Sequence, residues 1–136
     1  MINSRFAMQV HIVSLLALNK DGITSDFIAS SIGCNPVLVR KELVLLKNHG
    51  MVATQEGKNG GVRLVKQAKD IHLDELYKIV YGDMEMFPSN KNEPNPMCVI
   101  GRNISAMMKY INKEAELSML SKLQETTIEF LIKNIT

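Results

Sequence analysis

The sequence predicts a mainly α-helical chain with one small β-hairpin, made of an N-terminal unit of short helices and a long C-terminal helix. Three observations carry this. Apolar residues recur at helical spacing in four short segments before residue 82. A glycine-rich turn, Gly57-Lys-Asn-Gly-Gly61, separates two short strand-like runs. One apolar stripe then continues from Val99 to about Glu125. The 136 residues, 46% hydrophobic and 22% charged, suffice for one core and suggest neither a disordered nor a fibrous chain.

The first helix is expected over Ile2 to Asn19, with Phe6, Val10, Val13 and Ala17 on its core face, and Lys20-Asp21-Gly22 ends it. Thr24 or Ser25 caps a second, short helix whose Phe27, Ile28 and Ile32 are expected to face inward, and Gly33 stops it. Asn35 is a good N-cap and Pro36 suits the first helical position, so a third helix runs to Asn48 or His49 before Gly50. Its core face is Val39, Leu43 and Leu46. Met51 to Gln55 and Val62 to Lys66 form the hairpin.

A fourth helix, Leu73 to Tyr81, turns Leu73, Leu76 and Val80 inward, and the Pro- and Asn-rich stretch 82–98 resists regular structure. The long helix that follows carries Ile104, Met107, Met108, Ile111, Ala115, Met119 and Leu123 along its stripe. At ~1.5 Å per residue it spans close to 40 Å, too long for so small a unit to cover, and a second subunit is the expected cover. Thr126 and Glu129 match a capping box, so a break near Thr126 and a last helix through Phe130, Leu131 and Ile135, folded back onto the dimer, are expected. The chain thus divides into 1–81, a loop 82–98, and dimerisation helices 99–136.

The net charge of +2 is uninformative as a total, but its distribution is not. From Pro36 to Lys69, seven basic residues (Arg40, Lys41, Lys47, Lys58, Arg63, Lys66 and Lys69) face only Glu42 and Glu56. That local excess suits a surface turned toward phosphates. The apolar run Phe6 to Leu18 is broken by Gln9, His11 and Ser14 and reads as neither a signal peptide nor a membrane span. Together with two widely separated cysteines, Cys34 and Cys98, this places the protein in the cytoplasm, with no membrane partner. His11, His49 and His72 lack metal-ligand spacing, and the glycine turn lacks the Lys-Ser/Thr of a phosphate-binding loop, so an enzyme is not expected.

Helix, helix, turn, helix, hairpin is the order of a winged helix-turn-helix, whose third helix enters the DNA major groove while the hairpin touches flanking backbone or minor groove. The core stripe of that helix leaves Val37, Leu38, Arg40 and Lys41 exposed on its first turns, with Asn35 at its start. These are the expected base-reading residues. Lys58 and Asn59 at the hairpin tip are expected minor-groove or phosphate contacts, and Arg5 is expected to reach a phosphate.

The run from Cys34-Asn-Pro-Val-Leu-Val-Arg-Lys-Glu to His49-Gly-Met-Val, followed by Gly57-Lys-Asn-Gly-Gly-Val-Arg-Leu64, resembles the Rrf2 family of transcriptional regulators. Pro36, Gly50, Gly57, Gly60, Gly61 and Leu64 match the family pattern, as do Asn3-Ser-Arg-Phe-Ala7, Leu73-Asp-Glu-Leu76 and a cysteine leading into the long helix. Glu56 stands where many members have arginine and Val62 where an aromatic is usual, which implies a weaker wing grip. The resemblance implies a homodimeric repressor on a double-stranded DNA operator. Many members carry three closely spaced cysteines that hold an iron-sulfur cluster. Only Cys98 stands between Gly82 and Gly101, so neither a conventional cluster, a metal nor another cofactor is expected.

Two signals are compatible with the sequence. Cys98 opens the long helix, a setting reactive cysteines occupy, and Cys34 lies in the turn before the third helix, so oxidation is expected to loosen DNA binding. The nine methionines leave open a small-molecule effector pocket instead. A winged-helix module that binds protein rather than DNA is the rival reading, motivated by Glu56 and the modest charge.

Overall fold

The structure, a computed structural model, describes residues 3–57 and 60–135. It contains α1 (Arg5–Leu18), α2 (Ser25–Ile32), α3 (Pro36–Asn48), β1 (Val52–Gln55), β2 (Gly61–Leu64), a 3₁₀ turn (Ala68–Asp70), α4 (Leu73–Tyr81), α5 (Val99–Gln124) and α6 (Ile128–Lys133).

Local chemistry accounts for the element ends. The Thr24 hydroxyl accepts from the Phe27 N–H at 3.1 Å and starts α2, and Gly33 ends it at φ +83°, a conformation L side chains rarely adopt. The Asn35 side chain accepts from the Val37 N–H at 2.9 Å and starts α3. In the antiparallel hairpin Val52 faces Leu64 and Gln55 faces Gly61. Ile23 adds an isolated bridge: its N–H donates to the Val62 carbonyl at 3.0 Å and its carbonyl accepts from the Val62 N–H at 2.7 Å. This contact explains Gly61, because a Cβ there would lie 2.5 Å from the Ile23 carbonyl oxygen.

The core joins Ile12, Val13 and Leu16 of α1 to Ile28 and Ala29, to Val39, Leu43 and Leu46 of α3, and to Val62, Ile71, Leu76 and Ile128. The buried face of α1 is therefore Gln9, Ile12, Val13 and Leu16, one position off the expected stripe; Phe6, Val10 and Ala17 are only half-buried at its edge. Phe27, expected inside, is 53% exposed, because α2 turns Ile28 and Ala29 to the core and leaves Phe27 on the opposite side.

The last helix also differs from expectation. Its cap is Thr127, whose hydroxyl accepts from the Phe130 N–H at 3.1 Å, while the Thr126 hydroxyl donates back to the Lys122 carbonyl. It returns to its own chain: Ile128 is fully buried, its N–H donates to the Ile71 carbonyl at 3.0 Å, and α6 packs on α1 and the 3₁₀ turn. Residues 128–133 thus share the core of the N-terminal unit. Between them, α5 leans on α4, where Met119, Leu120 and Leu123 pack against Tyr77, Val80 and Tyr81.

Candidate nucleic-acid interface

The amino end of α3 is exposed and carries both apolar and cationic groups. Val37 and Leu38 are 50% and 46% exposed, although Val39, beside them, is fully buried. Arg40 and Lys41 are exposed on the next turn. The Arg40 guanidinium lies 3.5 Å from the Asp26 carboxylate of α2, an exposed pair that contributes little energy but shows how close α2 and α3 approach. Farther along, the Lys47 ammonium donates to the Thr54 hydroxyl at 3.5 Å, so the exposed side of α3 continues onto β1. The Asn35 side chain is exposed and committed to capping. Lys58 and Asn59 lie outside the described residues.

Arg5 stands apart from this face. Its Nε donates to Glu42 Oε1 at 2.7 Å and its Nη2 to Oε2 at 3.4 Å, and Gln9 Nε2 donates to Oε2 at 2.6 Å. Glu42 is only 5% exposed. The hydrogen bond to Glu42 raises the Arg5 pKa above its ordinary value, against the opposing effect of burial. The expected phosphate donor, its side chain 39% exposed, is therefore paired with a buried carboxylate of α3.

Sequence reasoning missed two features. An open groove between α2 and the hairpin is lined by Thr24, Phe27, Gln55 and Gly60, and the exposed Phe27 forms part of its wall. Glu42 read as one acid in a basic run, and its partners lie 33 and 37 positions away. No local signal pairs residues at that separation.

On α5, Ile104 is half-buried, while Met107 and Ile111 are each 44% exposed. Met119 is half-buried against α4 of its own chain. Asn112 is the buried residue of this helix: its side chain donates to the Phe87 carbonyl and accepts from the Phe87 N–H, both at 2.8 Å, pinning the loop 82–98 at mid-helix. The two cysteines are free thiols. Cys34 is half-buried at the core edge, and Cys98 is exposed, its Sγ accepting from the Gly101 N–H at 3.5 Å.

A three-helix core, a two-stranded wing and an uncovered cationic helix end define the winged-helix class of transcriptional regulators. Within that class the chain belongs to the Rrf2 family, described as iron-dependent transcriptional regulators, whose model matches residues 2–134. It is similar to the "Putative HTH-type transcriptional regulator YwnA" of Bacillus subtilis (strain 168), with 32% identity over 99% of each chain. It is also similar to the HTH-type transcriptional regulator NsrR of the same organism, with 29% identity over 92% of this chain and 85% of that one. Among solved structures, a "putative transcriptional regulator" from Lactobacillus plantarum superposes with a TM-score of 0.78 at 26% identity, covering 98% of this chain and 91% of that one. The regulators in this set make the chain a regulator rather than an enzyme.

The iron in the family description finds no matching donor set. Between Gly82 and Gly101 the chain supplies one thiol, Cys98, and the described residues contain no group of three or more His, Cys, Asp or Glu side chains able to hold a metal ion. The residues present do not fit a cysteine-ligated cluster. Among the described residues, no helix is long and apolar enough to cross a membrane.

Proposed function

We propose that the protein is a homodimeric repressor that reads double-stranded operator DNA with the first turns of α3. The observation that carries this reading is the uncovered pairing of Val37 and Leu38 with Arg40 and Lys41. Apolar side chains at a helix start fit thymine methyl groups, and the two cations fit guanine edges or phosphates. Asn35 holds that start in shape, and Lys58 and Asn59 extend the contact from the wing tip.

The dimer is supported by α5. Its 26 residues span close to 39 Å at ~1.5 Å per residue, yet Asn112 is its one buried residue. Ile100, Ile104, Met107 and Ile111 follow one helical stripe that a second copy would cover. Two copies then present two α3 helices to successive major grooves.

A thiol signal completes the reading. Peroxide takes an exposed Cys98 thiolate to a sulfenic acid and is itself reduced to water or hydroxide. Condensation with the thiol of Cys34 of the partner subunit forms a disulfide and releases a further water. Locking the turn before α3 then shifts the spacing of the two α3 helices away from that of adjacent major grooves and lowers operator affinity. A reducible covalent dimer and loss of DNA binding are both expected on peroxide treatment, and both should vanish in Cys34→Ser and Cys98→Ser. Release that persists in both single variants would overturn the thiol signal and leave the regulator itself intact.

The test of the DNA reading is a salt-titrated mobility shift on duplex from upstream of the protein's own coding sequence. Binding well above that for random duplex, with affinity falling steeply as salt rises, is expected. Equal affinity for every natural promoter and for random duplex would favour a protein-binding module.

A further inference from the structure

We propose that Arg5 and Gln9 are positioning residues for DNA reading: through the buried carboxylate of Glu42 they fix the axial rotation of α3 relative to the helices that carry the dimer. The inference rests on α3 being the DNA-reading helix.

The apolar contacts of Val39, Leu43 and Leu46 hold α3 against the core, but apolar packing is non-directional and sets rotation only loosely. Glu42 adds what the core lacks. Its two oxygens receive three hydrogen bonds from α1, two of them at 2.7 and 2.6 Å, and charge-assisted bonds of this kind are short and directional. A carboxylate 5% exposed beside the core would be costly unless so matched.

The start of α1 is itself anchored. The Arg5 N–H donates to Asn3 Oδ1 at 3.0 Å. The Tyr81 hydroxyl donates to the Asn3 carbonyl at 2.8 Å and accepts from the Asn3 N–H at 3.2 Å. Phe6 meets Tyr77 edge-on, with ring centroids 5.9 Å apart. Tyr77 and Tyr81 in turn pack on Met119, Leu120 and Leu123 of α5. A continuous run of contacts therefore links the long helix to α4, to the first turn of α1, and through Arg5 to Glu42 on α3.

Rotation matters because base reading is stricter than phosphate attraction. A 20° turn of α3 moves a side-chain tip about 2 Å, given a helix radius of about 5–6 Å with side chains. That displacement breaks a hydrogen bond whose useful range is about 0.5 Å wide, while the attraction to phosphates barely changes. The latch should therefore affect specificity and not general affinity.

The decisive variant replaces all three partners by apolar residues of similar size, Arg5→Met and Gln9→Leu with Glu42→Leu, so that no buried donor is left without its acceptor. Such wholesale exchanges of a buried polar cluster are commonly neutral or stabilising, so the fold is retained. The target is the duplex that wild-type protein selects from a randomised pool. Relative to wild type, the triple variant should unfold at the same or a higher temperature and bind random duplex within about threefold with the same salt slope. Its preference for the selected duplex over random should fall at least tenfold. Undiminished preference would make the cluster merely structural and overturn the inference. A salt slope reduced by about one unit would make Arg5 a phosphate contact and overturn it equally. Should the triple variant not fold, Glu42→Gln, which keeps the shape and removes the charge, carries the same test, and an unchanged preference in it counts against the latch. A wild-type protein that selects no sequence at all would instead defeat the DNA reading on which the inference rests.

Discussion

Truncating Ile128 to alanine separates two places where α6 could belong. The side chain is fully buried under α1 and the 3₁₀ turn of its own chain, and its N–H is fixed to the Ile71 carbonyl. An Ile→Ala change in a packed core costs about 2–5 kcal/mol, the spread reflecting how far the site collapses. Here α6 is short and its Phe130 is exposed, so the wall can partly close, which places the cost at about 2–3 kcal/mol. At about 3–4 °C per kcal/mol for a chain of this size, the midpoint of thermal unfolding should fall by about 6–12 °C. Circular dichroism melts at two concentrations a factor of ten apart measure it. The drop should be the same at both, because the lost contacts are within one chain, and sedimentation should show an unchanged assembly. A drop under about 2 °C, or one that disappears at the higher concentration, would refute the intrachain placement and put Ile128 between subunits.

Three further outcomes are expected. Arg40→Ala combined with Lys41→Ala should weaken operator binding by about 1–3 kcal/mol per lost base contact without lowering the melting temperature, since both side chains are exposed; unchanged binding would mean that another surface reads DNA. Ile111→Asp should convert a dimer to monomers in sedimentation, because a carboxylate would enter the apolar seam of α5; a wild type that sediments as a monomer at micromolar concentration would remove the seam altogether. Burial works to raise the pKa of Glu75, but hydrogen bonds from Lys66 and from the His72 N–H, with their charges, bring it below its ordinary value of 4.5. Because the folded-state value is the lower one, this stabilisation is present above pH 4.5 and is lost as pH falls through the lowered value. The melting-temperature advantage of wild type over Glu75→Gln should therefore shrink between pH 7 and pH 3, and an advantage that persists at pH 3 would contradict the assigned pairing.

Much of the fold was legible because its signals are local. Asn35 and Pro36 mark the start of α3, where the Asn35 cap is indeed made, and the glycine turn marks the hairpin. The spacing of Leu73, Leu76 and Val80 gives α4 with its buried face. What escaped was long-range. Helical periodicity alone placed Phe27 inward, whereas the placement of α2 leaves it bordering the groove beside the wing. Gln9 and Glu42 are polar residues inside the core, and polarity is the usual mark of an exposed position; their mutual hydrogen bond and the bonds of Glu42 to Arg5 offset that burial. The docking of α6 on α1, and the Asn112 clamp on Phe87, likewise join segments that no repeat or spacing connects. At the interface, the exposure of Val37 and Leu38 followed from the stripe formed by Val39, Leu43 and Leu46, while the engagement of Arg5 by Glu42 did not.

The central claim, that two α3 helices of a dimer read one operator, is tested most directly by hydroxyl-radical footprinting of wild-type protein on the duplex it selects. Two protected patches related by a dyad are expected, their centres one helical turn or a whole multiple of turns apart, each turn about 34–36 Å, and both lost together in the Arg40→Ala, Lys41→Ala variant. A single patch without dyad symmetry, or protection that survives in that variant, would contradict it.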